Sequence, residues 1–584
     1  MKILFIARHF TYFRNYETVI AELARRGHQL HLAAEREEDL GGREMVERLA
    51  REYSGVSFGW VPGREDRWTA FATKLRMTID YLRYFDPAYA GAPKLRARAR
   101  ERVPRIGLWL VAAAGARIES GRAIIRAVLQ AYERAIPRSQ AIDAFLRDQQ
   151  PGVVLFTPLI GVVASPQLDI LQSARALGYP TALCVWSWDH LSSKAILRTV
   201  PDRVFVWNDT QREEAIALHG VPADRVVVTG AQCFDQWFDR RPSMDHDAFC
   251  RKVGLPPVRP FLLYVCSALF QGSASEALFV QRWIRALRES GLEPLASTPI
   301  LVRPHPSRMK EWTDVDIAAE GDAVLWGRNP VDADARTDYF DSLYHSEAVV
   351  GLNTSAFLEG AIAGRPIFAT LLPEHHENQE GTIHFHYLLH VNGGLLHTAR
   401  TLGDHVQQLN AALQASGGES VRSRRFVEAF IRPRGVDVAA SPVFAGEVEK
   451  LATARPARAA DTLGENLGEN LGGNLGENLG GNIARWLLRA ALAPAAALAA
   501  LDAAAPLMLS EHEREIAARH RAHRDLVAEA WRVKDAHNAE EQHHKHARAA
   551  ERQRYKAERA AEWRRTKKMK SLKQRLKKRI GMPS

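Results

Sequence analysis

Residues 346–370, SEAVVGLNTSAFLEGAIAGRPIFAT, contain the side chains best suited to holding an anionic, hydroxyl-bearing ligand. The apolar run 348–352 predicts a buried strand, Asn353, Thr354 and Ser355 a polar turn of helix-capping residues, 357–363 a helix, and Arg365 and Pro366 the entry to a strand at 367–369. In such a unit the first free N–H groups of the helix point past Thr354 and Ser355, where an anion or phosphate is favoured. Glu359 follows Ser355 by four residues and lies one turn along the same helix face. A carboxylate there accepts hydrogen bonds from sugar or ribose hydroxyls, whereas it repels phosphate. The pattern fits a sugar-like ligand with phosphate at one end. An ordinary capped α/β unit with a solvated Glu is the plain alternative.

The elements around this stretch repeat the same grammar. Strands are predicted at 2–7, 28–34 and 56–62, with a helix at 16–26 ended by Gly27. Residues 68–146 are Arg-rich and mostly helical, broken at Pro87, Pro93, Pro104 and Pro137. Strands at 152–157, 181–185, 203–207 and 225–228 alternate with helices at 167–177 and 210–218, completing a doubly wound first domain at 1–230. A connector is predicted at 231–260 and a second α/β domain at 261–456, opening with a strand at 261–265, a polar loop at 266–275 and a helix at 276–289. Further strands are predicted at 300–303 and 323–326, further helices at 335–344, 402–413 and 420–430, and a last helix at 441–452 that packs back across the domain boundary. No GxGxxG follows the first strand, which disfavours a dinucleotide cofactor.

Composition sets limits on function. With 584 residues, 46% hydrophobic and 25% charged, the chain can bury two or three sizeable cores. Cys184, Cys233, Cys250 and Cys266 have no metal-ligand spacing and supply no disulfide framework. The first ten residues, MKILFIARHF, read as a strand and not as a signal peptide. The net charge of +11 sits in the tail, since 541–584 holds sixteen Lys or Arg against four Glu; the rest is close to neutral, which argues against nucleic acid as a partner of the body. Residues 457–482 repeat LGEN or LGGN and read as a flexible linker, 483–509 as an Ala/Leu-rich interfacial helix carrying Trp486, Arg485 and Arg489, and 510–584 as a charged helical tail with a basic end. A solvated helix is the alternative for that tail.

Tandem doubly wound domains, the loop after the first strand, the RPHP run at 303–306 and the NTS…E…GRP run at 353–366 together resemble glycosyltransferases of the GT-B architecture. Within that fold the chain is similar to bacterial surface-polysaccharide transferases near the CDP-glycerol glycerophosphotransferases and the capsule Kdo or sialic-acid transferases. The resemblance covers roughly the first 450 residues. It implies an α/β fold of two Rossmann-like domains, a nucleotide-activated donor bound mainly by the second domain, an acceptor approaching from the first, no tightly bound cofactor and no essential metal. Asp332 and Asp334 form a DxD pattern of a kind common by chance.

Sugar transfer needs a base for the acceptor hydroxyl and positive potential for the leaving phosphate. On this basis Arg303 is expected to pair with phosphate and His305 to donate to phosphate or a sugar hydroxyl; a turn shaped by Pro304 and Pro306 is the structural alternative. Thr354 and Ser355 are expected at the pyrophosphate, Asn353 beside them, Glu359 at a ribose or sugar hydroxyl, and the loop beginning at Ser267 over the donor. His9, just after the first strand, is the first candidate base because imidazole titrates near neutrality. Asp189 and His190, in WSWDHLSSK, are the second. Arg8 and Lys194 are expected to meet an anionic acceptor, and His375 and His376 the donor base or phosphate, unless these histidines merely populate a surface loop.

The resulting expectation is a glycosyltransferase moving sugar from a nucleotide donor to a bacterial surface polysaccharide or glycolipid. It would be cytoplasmic and peripheral on the inner membrane through 483–584, beside other polysaccharide-assembly proteins. A CDP-glycerol-type polyol-phosphate transferase, a nucleotide-sugar 2-epimerase-like enzyme and a non-catalytic membrane-associated scaffold are the alternatives.

Overall fold

The computed structural model describes residues 1–38, 41–113, 118–162, 165–330, 333–414 and 420–454. The expectations for 457–482, 483–509, 510–584 and Asp332 lie outside the described residues.

The first half folds around β1 (Lys2–Ala7), β2 (Gln29–Ala34), β3 (Val56–Trp60), β4 (Val153–Thr157), β5 (Thr181–Cys184), β6 (Arg203–Val206) and β7 (Val226–Val228). All pair in parallel, in the order β3-β2-β1-β4-β5-β6-β7. The second half repeats the plan with β8 (Leu262–Val265), β9 (Ile300–Arg303), β10 (Ala323–Leu325), β11 (Ala348–Gly351), β12 (Ile367–Thr370) and β13 (Leu396–Ala399), ordered β10-β9-β8-β11-β12-β13. These are two tandem Rossmann-like domains in the GT-B arrangement. Strand order reverses between β1 and β4 and again between β8 and β11, so each sheet has its ligand crevice at the carboxyl ends of those strands.

Strands buried on both faces must be apolar throughout, and the side-chain period of two splits each into two cores. On β1, Ile3, Phe5 and Ala7 join Val19, Ile20 and Leu23, while Leu4 and Ile6 join Ile142 and Leu146. The helix Ala440–Thr453 belongs to the first of these cores through Phe444, Ala445 and Val448, so the chain ends the second domain by packing on the first. Asp235 fixes that return: its carboxylate accepts the Ala440 and Ser441 N–H groups at 2.9 and 2.7 Å and pairs with Arg432 at 3.2 Å.

The helical insertion comprises Thr69–Arg83, Pro93–Arg100, Arg105–Ala113 and Glu119–Ala135, with breaks near its prolines. Three of its arginines, Arg76, Arg83 and Arg122, are buried. Arg76 pairs with Asp169 at 2.7 Å and Glu133 at 3.0 Å, and Arg83 donates to the carbonyls of Leu191, Lys194 and Ala195. The Arg76–Asp169 pair ties the insertion to helix Gln167–Ala176 after β4, and the Arg83 bonds clamp it onto the loop after β5. No helix among the described residues is long and apolar enough to cross a membrane. β13 is the one strand absent from the sequence reading; its two central residues are His397 and Thr398.

Candidate functional site

The crevices of the two sheets open into one cavity of about 820 Å³. Its second-domain wall is built from the turn after β11. Ser267 is fully buried; its Oγ accepts the Asn353 N–H at 3.0 Å while its own N–H donates to Glu276 at 2.7 Å. Asn378 ties the loop after β8 to this turn: its Oδ1 accepts the Phe270 N–H at 2.8 Å, its Nδ2 donates to Ser273 at 2.9 Å, and its carbonyl accepts from the Asn353 side chain. Asn353, Thr354 and Ser355 line the cavity, Thr354 Oγ1 accepting the Ala356 N–H at 3.3 Å. The helix that follows, Ala356–Ile362, has only seven residues, so its dipole adds little to the hydroxyls before it.

Glu359 lines the same wall, and the Tyr339 hydroxyl donates to its Oε2. Burial pushes its carboxyl up to about 7 despite that bond. Behind Tyr339 stands Arg303, its guanidinium 5.1 Å from the Tyr339 ring centre and 5.4 Å from that of Trp326, donating to the Arg328 carbonyl at 3.2 Å. Arg303 is buried and does not line the cavity; it braces the tyrosine that holds Glu359. His305 does line it, with Nδ1 2.8 Å from Ser307 Oγ.

The first-domain wall is the loop after β5. Asp189 accepts from Ser187 at 2.6 Å, Ser193 at 2.8 Å and Lys194 at 2.6 Å. Burial alone would raise its pKa, but Lys194, the nearby His384 and the Ser187 hydroxyl hold the carboxyl well below the usual range. Lys194, Trp186 and Trp188 share this wall, and Leu95 and Arg98 bring the insertion to it. His384 reaches it from the second domain: its ring meets Trp188 edge to face at 4.8 Å and its Nε2 lies 3.4 Å from Asn353 Nδ2. Its Nδ1 is buried without a hydrogen-bond partner, and burial lowers its pKa to about 4, leaving a neutral imidazole near Asp189 at pH 7.

A third group of residues closes one end. Arg14, Arg240 and Arg336 all line the cavity with Glu17. Arg240 donates to the Arg336 carbonyl at 3.1 Å, and Arg336 Nη1 lies 3.7 Å from Glu17 Oε1. Burial and the field of Arg336 lower the pKa of both Arg14 and Arg240, the signature of like charges held together out of water. With Arg98 and Lys194, five fixed cations face the carboxyls of Glu17, Asp189 and Glu359, and Glu359 is only partly ionised near neutrality. The cavity therefore favours an anion.

No family model matches the chain, and no curated protein sequence matches it. Solved structures similar in chain organisation include a glycosyltransferase from Rickettsia africae ESF-5, at 9% identity and a TM-score of 0.45 over 77% of this chain and 98% of that one. The UDP-GlcNAc 2-epimerase from Methanocaldococcus jannaschii is similar at 11% identity and a TM-score of 0.44, over 77% and 99% of the two chains. The Neisseria meningitidis UDP-GlcNAc 2-epimerase bound to UDP-GlcNAc is similar at 11% identity and a TM-score of 0.43, over 77% and 100%. At these identities the likeness is one of fold.

Of the residues singled out in sequence, the cavity gathers Asp189, Lys194, His305, Asn353, Thr354, Ser355 and Glu359. Others stand apart from it. His9 is half-buried, its ring 4.6 Å from Tyr12, which in turn meets Trp186 at 5.1 Å, so two rings separate it from the cavity. Arg8 is half-buried on the same segment and does not line it. His190 is fully buried with Nε2 3.1 Å from the Ile160 carbonyl. His375 is fully buried against Phe279, and His376 is exposed with Nδ1 3.6 Å from Glu380. Sequence reasoning missed His384, Tyr339, Arg240 and Arg336; Arg336 and Tyr339 lie one turn apart on helix Ala333–His345, but Arg240 and His384 come from distant stretches and no motif links the four. It also missed Arg14, in the loop after the first strand. Among the described residues, no group of three or more His, Cys, Asp or Glu is placed to hold a metal ion.

Proposed function

We propose that this chain is an enzyme acting on a nucleotide-activated sugar held between its two Rossmann-like domains. The observation that carries the reading is one cavity combining the Arg14, Arg240 and Arg336 cluster with the Thr354 and Ser355 hydroxyls and the Glu359 carboxyl. Guanidiniums and hydroxyls suit phosphates, and a carboxyl suits a ribose or sugar hydroxyl. Arg303 acts here through Tyr339, as a positioning residue.

Two chemistries fit, and they make different demands. Glycosyl transfer to a polysaccharide or glycolipid acceptor needs a second compartment, and the wall of Trp186, Trp188, Lys194 and Arg98 offers aromatic faces and cations for it. There His384 is the better-placed proton acceptor, since Asp189 is engaged by three donors that hold it as an anion and His9 stands behind Tyr12. Epimerisation of the sugar needs no acceptor; Glu359, poised at about 7, and His305 in the same cavity favour it. A CDP-activated polyol phosphate would use the same cationic end. Attachment to an anionic inner-membrane surface through 483–584 completes the proposal; truncation after Pro456 is expected to reduce liposome binding while sparing turnover of soluble substrates.

The deciding experiment incubates the full chain with a panel of nucleotide sugars and CDP-glycerol in D₂O, with and without acceptors. Epimerisation yields a deuterated diastereomer in the absence of acceptor. Transfer yields free nucleotide and product only when acceptor is present. Absence of binding and turnover across the panel would sink the enzyme reading. Under transfer, His384→Ala is expected to lower turnover at least about 100-fold with nucleotide binding retained; the same loss in His9→Ala alone would return the base to His9.

A further inference from the structure

The cavity is cationic in two places, and the two act on different groups. Arg240 feels the charges of Arg336, Asp341 and Glu359, and Arg14 those of Arg336, Glu17 and Glu38; Lys194 and Arg98 act on neither. His384 instead stands in the fields of Asp189, Lys194 and Arg98. The first place suits the diphosphate of a nucleotide sugar, which carries its charge in that one group. The second place is left without a partner in that substrate.

Charge counted at the second place leaves a surplus. Lys194 is matched by Asp189 at 2.6 Å, and Lys94 by Glu377 at 3.0 Å. Arg98 and Arg102 pair with no carboxylate among the described residues: Arg98 donates to the Ser193 carbonyl and lies 5.8 Å from the Phe270 ring centre, and Arg102 donates to the Arg98 carbonyl. Neutral carbonyls hold both side chains and leave their charge unneutralised. Of the nearby carboxyls, Asp80 is paired with Arg198, Glu214 is buried against Tyr387 and raised by that burial to about 7, and Glu101 is exposed and bridged to neither arginine. Both arginines line a small cleft with Tyr84, and Arg98 lines the main cavity as well, beside Trp186, Trp188 and Phe270. Flat aromatic faces next to fixed cations suit a sugar ring that carries an anion.

We infer that Arg98, Arg102 and Trp188 form the subsite of a second substrate, a sugar that bears a phosphate or carboxylate group beside the hydroxyl to be modified. The inference rests on the nucleotide-sugar reading of the cavity and, within it, selects transfer over epimerisation, because an epimerase has only one sugar and one diphosphate to bind. The acceptor oxygen forms its bond to the anomeric carbon of the donor as the bond from that carbon to the phosphate oxygen breaks. The hydroxyl proton passes to the His384 imidazole, and the nucleotide diphosphate leaves at the end held by Arg14, Arg240 and Arg336.

The test uses the full chain saturated with whichever of UDP, CDP and GDP binds, and saturation-transfer NMR titration of glucose, galactose, their 6-phosphates and their uronates. At least one anionic sugar is expected to bind about tenfold or more tightly than its neutral parent, the 6-phosphates reporting a phosphate subsite and the uronates a carboxylate one. Arg98→Ala and Arg102→Ala are each expected to remove at least about fivefold of that preference, a larger factor than either costs in nucleotide Kd, and Arg98→Lys to restore part of it. Arg240→Ala is expected to show the reverse order. Arg102→Ala, which leaves the Arg98 bond to Ser193 in place, keeps the inference falsifiable if Arg98→Ala fails to fold. Equal affinity for neutral and anionic sugars would overturn the inference. So would a preference that neither arginine variant reduces, which would put the anion on the basic tail, and so would an Arg98→Ala chain that loses nucleotide as strongly as sugar, which would put the diphosphate at this end. A chain that binds no nucleotide would sink the enzyme reading and this inference with it; the other failures occur with nucleotide bound and leave that reading standing.

Discussion

Asp189 and Glu359 line the same cavity from opposite domains, and their surroundings make them chemical opposites. Asp189 accepts from Ser187, Ser193 and Lys194 and is held as an anion far below its usual titration range. Glu359 is buried with the Tyr339 hydroxyl as donor and sits at about 7. Two carboxyls a few residues past strand ends thus differ because one has a cation and the other has a phenol. The first is a fixed charge that orients Lys194. The second changes state in the working pH range and is the one able to respond to a ligand.

The comparison predicts unlike responses to substitution. Asp189→Ala strands Lys194 in a part-buried pocket and is expected to cost about 3 to 5 kcal/mol in denaturant unfolding at neutral pH. A depressed carboxyl contributes stability that is present above its unfolded pKa and is lost as pH falls through its folded one, so this cost should fade only in acid. Glu359 has the opposite sign. Its pKa is raised in the folded state, so the favourable contribution is present below 4.5 and is lost as pH rises through about 7. Glu359→Gln should flatten the fall in stability across that window, a change of roughly 3 kcal/mol between its ends. Equal pH profiles for the two variants would erase the contrast. A smaller effect is expected from Arg303→Met, which removes the stacking on Tyr339 and Trp326: about 2 kcal/mol of stability and a nucleotide Kd only about threefold weaker. A loss beyond tenfold with stability intact would restore Arg303 to direct phosphate contact.

Sequence carried the sheets further than the cavity. Apolar runs such as 2–7 and 300–303 became β1 and β9 at the same bounds, because a strand covered on both faces has no polar alternation to blur it. β13 escaped because its central His397 and Thr398 break the apolar run at the sheet edge. The turn at Asn353–Ser355 was legible since its chemistry is local. Arg303 read as a ligand-edge cation, but the direction of its side chain was decided by Trp326 and Tyr339, residues that only the fold brings near it. His384 and the Arg14, Arg240 and Arg336 cluster were illegible for the same reason: each is ordinary in its own stretch and acquires meaning only from residues on the other domain or the connector.

The most direct test of a phosphate-bearing ligand in this cleft is calorimetric titration of UDP, CDP and GDP into the full chain and into its Arg240→Ala and Arg336→Ala variants. The account predicts saturable binding of at least one nucleotide diphosphate, weakened about tenfold or more in each variant, since charge-assisted bonds to phosphate are worth about 1.5 to 3 kcal/mol. Binding of none of the three, or binding undiminished by either substitution, would contradict it.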